Sequence, residues 1–378
     1  MKSIMKTLAV LLAAAALSFA APKVELGVIN GAAFRIDVPE NWNGSLVVYC
    51  HGYNPQAVKF KDEKLNPALQ VFADQGFALA QSGYAAGGWA VEQAATDTEN
   101  LRRYFIDKYG KPKETYITGH SMGGFLTMML METHPTAYDA ALPLCGPLAP
   151  TDLFMARGAF DSYVLFNYYF PGILPEPTKI PKDFVNTTGD RELVAKIQKA
   201  LDGDETKAAS LRKFHDANAK SNRDLAGTTA FIVYLIKELN ERAGGNPFDN
   251  RYVIYNGTLD DNKINSEIPR YAADPKAAAY LRSFYTPTGR ITNPMLAIHT
   301  SYDPLVPVWI PNLYSSRVDQ SGTSDLYVQQ FVKHDGHCAI LPDEISRGFS
   351  ELREWKSHGR RPQGGEVPKA VSGSTGNN

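Results

Sequence analysis

The chain reads as an α/β protein with a mostly parallel central sheet flanked by helices and one long, mainly helical insertion. Three observations predict this. Apolar runs such as Ser45–Cys50, SLVVYC, lack polar alternation, as strands buried on both faces do. These runs alternate with helix-length amphipathic segments, the rhythm of β-α-β units. After Gly146-Pro147 the rhythm stops, and it resumes only at Pro294 with PMLAIHTSYDPLVP.

Taken in order, Val24–Ile29 and Ala32–Val38 are strands joined by Asn30-Gly31, a pair that favours a two-residue hairpin turn. Ser45–Cys50 follows as a central strand, then a helix over 66–75 and a strand over Phe77–Gln81. Glu92–Tyr109 is an amphipathic helix stopped by Gly110 and Pro112. Tyr116–Thr118 leads through Gly119 and His120 to Ser121 and a buried helix, and Ala140–Cys145 is the next strand. Residues 147–290 read as a cap: aromatic at first (FDSYVLFNYYFPGILP), helical from Asp190 to Arg242, then irregular (GGNPFDNRYVIYNGTLDDN). The sheet resumes at Pro294 and ends with a strand at Asp325–Val332 and a helix at Pro342–Trp355. The core is thus expected in 21–146 and 291–358. The tail, 359–378, has few apolar residues to dock it and is expected to be disordered. No internal repeat is evident.

The 378 residues are 44% hydrophobic, with a net charge of −1 from 39 basic and 40 acidic side chains. The basic residues are scattered among acids, which argues against nucleic acid or an anionic membrane as a partner. Lys2 and Lys6 precede an apolar run, Leu8–Phe19, and Ser18-Phe19-Ala20 has the small-x-small pattern of a cleavage site. Residues 1–20 are therefore expected to be a signal peptide, giving a secreted or periplasmic product with no membrane span after cleavage. Cys50, Cys145 and Cys338 are too few for a disulfide framework and allow at most one bridge. Cys50 and Cys145 should flank the strand that leads to Ser121. Two strand spacings put them about 9 to 10 Å apart, beyond bridging distance.

Gly119-His120-Ser121-Met122-Gly123 matches G-x-S-x-G between a strand and a helix. An abrupt strand-to-helix turn exposes a serine Oγ at a helix N-terminus, where the first N–H groups favour developing negative charge. The bland alternative is a helix-capping serine beside packing glycines. A nucleophilic serine needs a base, and the base needs an orienting acid. In open α/β sheets both belong at the C-terminal ends of later strands. Asp303 follows PMLAIHT in Ser301-Tyr302-Asp303-Pro304, and His337 follows the last strand in Lys333-His334-Asp335-Gly336-His337-Cys338. His334 is the alternative base; Asp152 and the pair Asp260-Asp261 are alternative acids.

An oxyanion hole needs two N–H groups beside the attacked carbon. Met122, next to Ser121, is one candidate, and Tyr53, in the loop His51-Gly52-Tyr53-Asn54 after LVVYC, is the other. His120, Tyr84, Trp89, Tyr163 and Phe166 are candidate substrate contacts, with core packing as the competing role for each. No clustered metal-ligand spacing is present, and no cofactor is expected.

Together these residues resemble the α/β-hydrolase superfamily from about Val24 to Ser357, with a cap inserted after the sixth strand. The resemblance implies Ser121 as nucleophile, Asp303 as acid, His337 as base, and Tyr53 and Met122 as oxyanion donors. The export signal and aromatic cap look like those of esterases, which implies hydrolysis of a small-molecule or polymer-derived carboxylic ester. A serine peptidase of the prolyl oligopeptidase or aminopeptidase type, with TLDDN binding an amine, is the alternative; a non-catalytic binding protein is a third. His337-Cys338 also resembles feruloyl esterases and tannases, where that cysteine bridges one before the serine. Here His120 occupies that position, so that bridge cannot form.

Overall fold

The structure is a computed structural model that describes residues 23–184, 191–214 and 219–367. The expected signal peptide lies outside the described residues.

β1 (Lys23–Ile29) and β2 (Ala32–Val38) form the expected hairpin. Asn30 (φ 50°) and Gly31 (φ 89°) both take positive φ, as the twist-matched two-residue turn requires. β3 (Leu46–Cys50), α1 (Pro67–Asp74), β4 (Ala78–Ser82), α2 (Val91–Tyr109), β5 (Thr115–His120), α3 (Met122–Thr133) and β6 (Ala140–Leu144) follow. After the insertion come β7 (Met295–Tyr302), α11 (Trp309–Ser321), β8 (Tyr327–Asp335), α12 (Pro342–His358) and β9 (Gly365–Glu366). Among the described residues they build one sheet in the order β1-β2-β4-β3-β5-β6-β7-β8-β9. β1/β2 and β2/β4 are antiparallel, and every other neighbouring pair is parallel.

The period-2 pleat divides the core between two sheet faces. Leu46, Val48 and Cys50 join the layer of α2, α3 and the insertion. Val47 points the other way, into a layer with Phe72 of α1 and Phe349 and Leu352 of α12.

Between β6 and β7 lie α4 (Thr151–Leu153), a π-helical stretch at Phe154–Phe160, α5 (Asp161–Tyr169), α6 (Arg191–Gly203), α7 (Glu205–Lys213), α8 (Asn222–Ala243), α9 (Asp261–Glu267) and α10 (Pro275–Ser283). α6 buries Leu193, Ile197 and Leu201, one stripe at i, i+4 and i+8, and packs on α8. RYVIYNG forms no strand. Asp260 caps α9 through the Lys263 N–H, and Asp261 accepts from the Gly257 and Thr258 N–H groups. That acid pair is engaged in local turn chemistry.

The described part of the tail, 359–367, departs from expectation. Arg361 donates to the Ser324 and Tyr327 carbonyls, Gln330 Nε2 donates to the Gln363 carbonyl, and Gly365–Glu366 extends the sheet beside β8. Main-chain groups, the Arg361 guanidinium and the Gln330 side-chain amide dock residues 361–366, contacts that an apolar count does not register. Residues 368–378 lie outside the described residues. Among the described residues no helix is long and apolar enough to cross a membrane.

Candidate active site

Ser121, between β5 and α3, has φ 56° and ψ −121°, a conformation that a residue bearing a Cβ holds only when its surroundings impose it. Its N–H donates to the Leu144 carbonyl at 2.9 Å, and its own carbonyl accepts from the N–H groups of Gly124 (2.8 Å) and Phe125 (3.1 Å). The serine thus ends a strand and starts a helix at once. A Cβ at Gly119 would lie 2.5 Å from the carbonyl oxygens of Cys50 and Gly123, and one at Gly123 would run into the Cys50 carbonyl. Close backbone packing, and not turn preference alone, demands these glycines.

The loops after β7 and β8 converge on this serine. His337 Nε2 lies 2.8 Å from Ser121 Oγ, and His337 Nδ1 lies 2.7 Å from Asp303 Oδ2. Asp303 is 2% exposed. Its Oδ1 accepts the Leu305 and Val306 N–H groups, both at 2.9 Å, and His299 Nε2 stands 3.6 Å from Oδ2. Burial pushes the Asp303 carboxyl up, but the His337 hydrogen bond and charge, His299 and the Val306 N–H outweigh it, leaving it below its ordinary value. An ionised Asp303 holds the proton on His337 Nδ1, which leaves Nε2 free to accept the Ser121 hydroxyl proton. A serine on a strained strand-to-helix turn, followed in chain order by an acid and a histidine at later strand ends, decides the architecture. The chain has the α/β-hydrolase fold.

No family model matches this chain. Among curated proteins it is similar to an o-phthalyl amidase of Xanthobacter agilis, 21% identical over 415 residues that cover 88% of this chain and 87% of the amidase. Among solved structures it is similar to a Pyrococcus horikoshii acylaminoacyl peptidase, 11% identical with a TM-score of 0.47, over 90% of this chain and only 42% of the peptidase. It is also similar to a Pyrococcus furiosus esterase (11% identical, TM-score 0.47, 88% of this chain and 90% of the esterase). Feruloyl esterase B from Aspergillus oryzae is similar at 14% identity and a TM-score of 0.47, over 88% of this chain and 78% of that one.

The cysteines hold one bridge, Cys145–Cys338, with Cα atoms 5.2 Å apart. Cys50 is free and buried. His120 faces Leu144 in the β5/β6 register, so Cys145 stands one step beyond the residue that precedes the serine, on the adjacent strand end. The partner that His120 cannot supply to Cys338 comes from there. His334 pairs with Glu344 at 2.9 Å and does not reach the serine.

Gly52 of the β3 loop abuts the serine: a Cβ there would lie 3.3 Å from Ser121 Cβ. Tyr53 is the next residue, and Met122 opens α3. His120 borders Ser121, with Nδ1 3.1 Å from the Tyr49 hydroxyl. Three candidate contacts are instead packing residues. Tyr84 is buried, stacks on His51 at 3.9 Å and donates to the His51 carbonyl. Trp89 is buried against Phe125 and Phe154. Tyr163 is buried, with its hydroxyl spent on the Pro175 carbonyl. Phe166 lines a cavity of about 40 Å³ shared with Thr228, Ile232, Leu305 and Trp309; Ser121 and His337 do not line it.

Helix α8, which falls in the segment expected to be helical, has a role that the sequence does not show: it braces the loops of the site. Its Asp224 accepts from the Tyr302 hydroxyl (2.9 Å), Thr228 donates to the Pro304 carbonyl (3.2 Å), Phe231 meets Tyr53 edge-on (5.1 Å), and Glu238 accepts the Trp89 N–H (2.7 Å). Positions 224, 228, 231 and 238 share one helical face. α8 therefore runs from the loop that carries Asp303 to the loops that carry Tyr53 and Trp89. The spacing was present in the sequence, but nothing in it said what lay opposite.

Proposed function

We propose that this protein is an exported serine hydrolase that cleaves carboxylic esters through an acyl-enzyme on Ser121. The observation that carries this reading is the hydrogen-bonded chain Ser121 Oγ, His337 Nε2, His337 Nδ1, Asp303 Oδ2. His337 takes the Ser121 proton as Oγ attacks the ester carbonyl, and Asp303 stabilises the imidazolium that forms. The Met122 and Tyr53 N–H groups receive the oxyanion at the N-terminus of α3. His337 then gives its proton to the departing alcohol, and water, deprotonated by the same imidazole, releases the acid. The Cys145–Cys338 bridge supports export to an oxidising compartment.

Amide cleavage is the second reading, favoured by the similarity to the o-phthalyl amidase over most of both chains. Its chemistry differs only in the leaving group, an amine that His337 must protonate. Binding of a peptide α-amino group by Asp260 and Asp261 gains no support, since both serve local caps. Short-chain p-nitrophenyl esters and the matching p-nitroanilides, assayed with the wild type and Ser121→Ala, test the reading. Ester turnover lost in Ser121→Ala supports it; anilide turnover equal to or above ester turnover favours the amidase; turnover unchanged by Ser121→Ala rejects both.

A further inference from the structure

The C-terminal half of α8 is tied to the loop that carries Tyr53. Glu238 Oε1 accepts the Trp89 N–H at 2.7 Å and the Arg242 Nε–H at 2.5 Å, and Arg242 also donates to the Gly87 carbonyl. The carboxylate lies directly over Gly88, where any Cβ would collide with it. Gly88 has φ 82°, so the loop crosses here in a conformation that other residues rarely adopt. The Gly88 N–H in turn donates to the Asn54 carbonyl at 2.6 Å, and the Val58 N–H donates to the Gly83 carbonyl at 2.9 Å. The first half of the loop after β3 is thereby stitched at Asn54 and Val58 to 83–88, which hangs from Glu238 and Arg242. Phe231, two turns earlier on α8, closes over the Tyr53 ring.

We propose that Glu238 is a positioning residue that holds the Tyr53 N–H in register with Ser121, acting through Gly87–Trp89 and Asn54. This rests on the reading of Tyr53 as an oxyanion donor. A cap helix then does more than shape the substrate space: it fixes half of the group that receives negative charge during acyl transfer. Loss of one oxyanion donor costs about 10²- to 10³-fold in kcat, and a displaced donor costs less.

The test compares Glu238→Ala and Glu238→Gln with the wild type, with kcat expressed per fluorophosphonate-titrated serine so that unfolded protein does not count. Glu238→Ala should lower kcat about 10- to 100-fold, with KM and the pH profile unchanged. Glu238→Gln keeps an acceptor for the Trp89 N–H and should stay within about fivefold of wild type. Hydrogen exchange gives a readout independent of any substrate: Glu238→Ala should speed exchange across 52–58 as well as 83–89, and Glu238→Gln should not. Unchanged exchange at 52–58 in Glu238→Ala overturns the proposal whether or not the protein hydrolyses esters. So does a kcat per titrated serine that matches the wild type, or a loss shared equally by Glu238→Gln. Absence of any wild-type turnover together with the expected exchange pattern would instead reject the hydrolase reading and leave the latch standing.

Discussion

Cys338, the residue after His337, is covalently bound to Cys145, the residue after β6. The loop carrying the histidine is therefore fastened to the strand end whose preceding carbonyl, Leu144, accepts the Ser121 N–H.

Breaking this bond should harm both stability and turnover. It closes a sequence separation of 193 residues, and a loop of that size contributes about 2 to 5 kcal/mol by restricting the unfolded chain. Cys145→Ser, Cys338→Ser and reduction of the wild type should all lower Tm. They should also lower kcat per titrated serine about tenfold or more, as His337 loses its fixed distance to Ser121. Chemical denaturation and active-site titration check the two effects separately; full kcat in the reduced protein would show that packing alone sets the His337 loop.

A methyl group at Gly123 should be intolerable where one at a surface helix position would pass unnoticed. Its Cβ would meet the Cys50 carbonyl oxygen, a backbone atom on a central strand. Gly123→Ala is expected to cost about 1 to 3 kcal/mol by overpacking and to abolish Ser121 labelling, because the shift falls on the serine's own turn. Thermal unfolding and labelling of the same sample measure both; wild-type behaviour in both would contradict the close-approach account.

How much of this was readable beforehand depends on where each signal lies. Ser121, Asp303 and His337 each carry a local cue: glycines around a strand-to-helix turn, a proline closing a strand, a glycine before a histidine ahead of the last helix. Such cues survive without knowledge of the strand order. The Cys145–Cys338 bond does not, because it requires that β6 end beside the serine and that the β8 loop fold back over it. Tyr84, Trp89 and Tyr163 illustrate a different limit. An aromatic side chain has the same sequence pattern whether it faces a cleft or fills a core, and only the neighbours, His51, Phe125 and the Pro175 carbonyl, decide. Glu238 is hidden in the same way: Arg242 is a neighbour on the same helix, but the Trp89 N–H it accepts sits on a core loop far away in sequence.

Acid should weaken the fold partly through His120. Burial first, and the nearby His337 second, lower its imidazole to about 4 from 6.5. Between those values the unfolded chain binds more protons than the folded one, so stability falls as pH drops through that window, by at most about 3 kcal/mol from this residue. Above pH 6.5 its contribution is flat. His51 and His299, lowered in the same direction by burial, remain in His120→Asn, so the difference between wild type and variant isolates this one group. Urea midpoints from pH 4 to 7.5 should show a shallower slope for His120→Asn; parallel curves would contradict the assignment.

If Ser121 is the nucleophile activated by His337 and Asp303, a fluorophosphonate should mark it and no other residue. Intact-mass and peptide analysis after incubation with a fluorophosphonate tests it most directly, run beside ester turnover in the wild type, Ser121→Ala and His337→Ala. One phosphonyl group per folded chain, carried on Ser121, is expected, with no labelling of either variant on the same timescale and turnover lowered by about 10³-fold or more in both. Labelling at another residue, or turnover that survives Ser121→Ala, would contradict it.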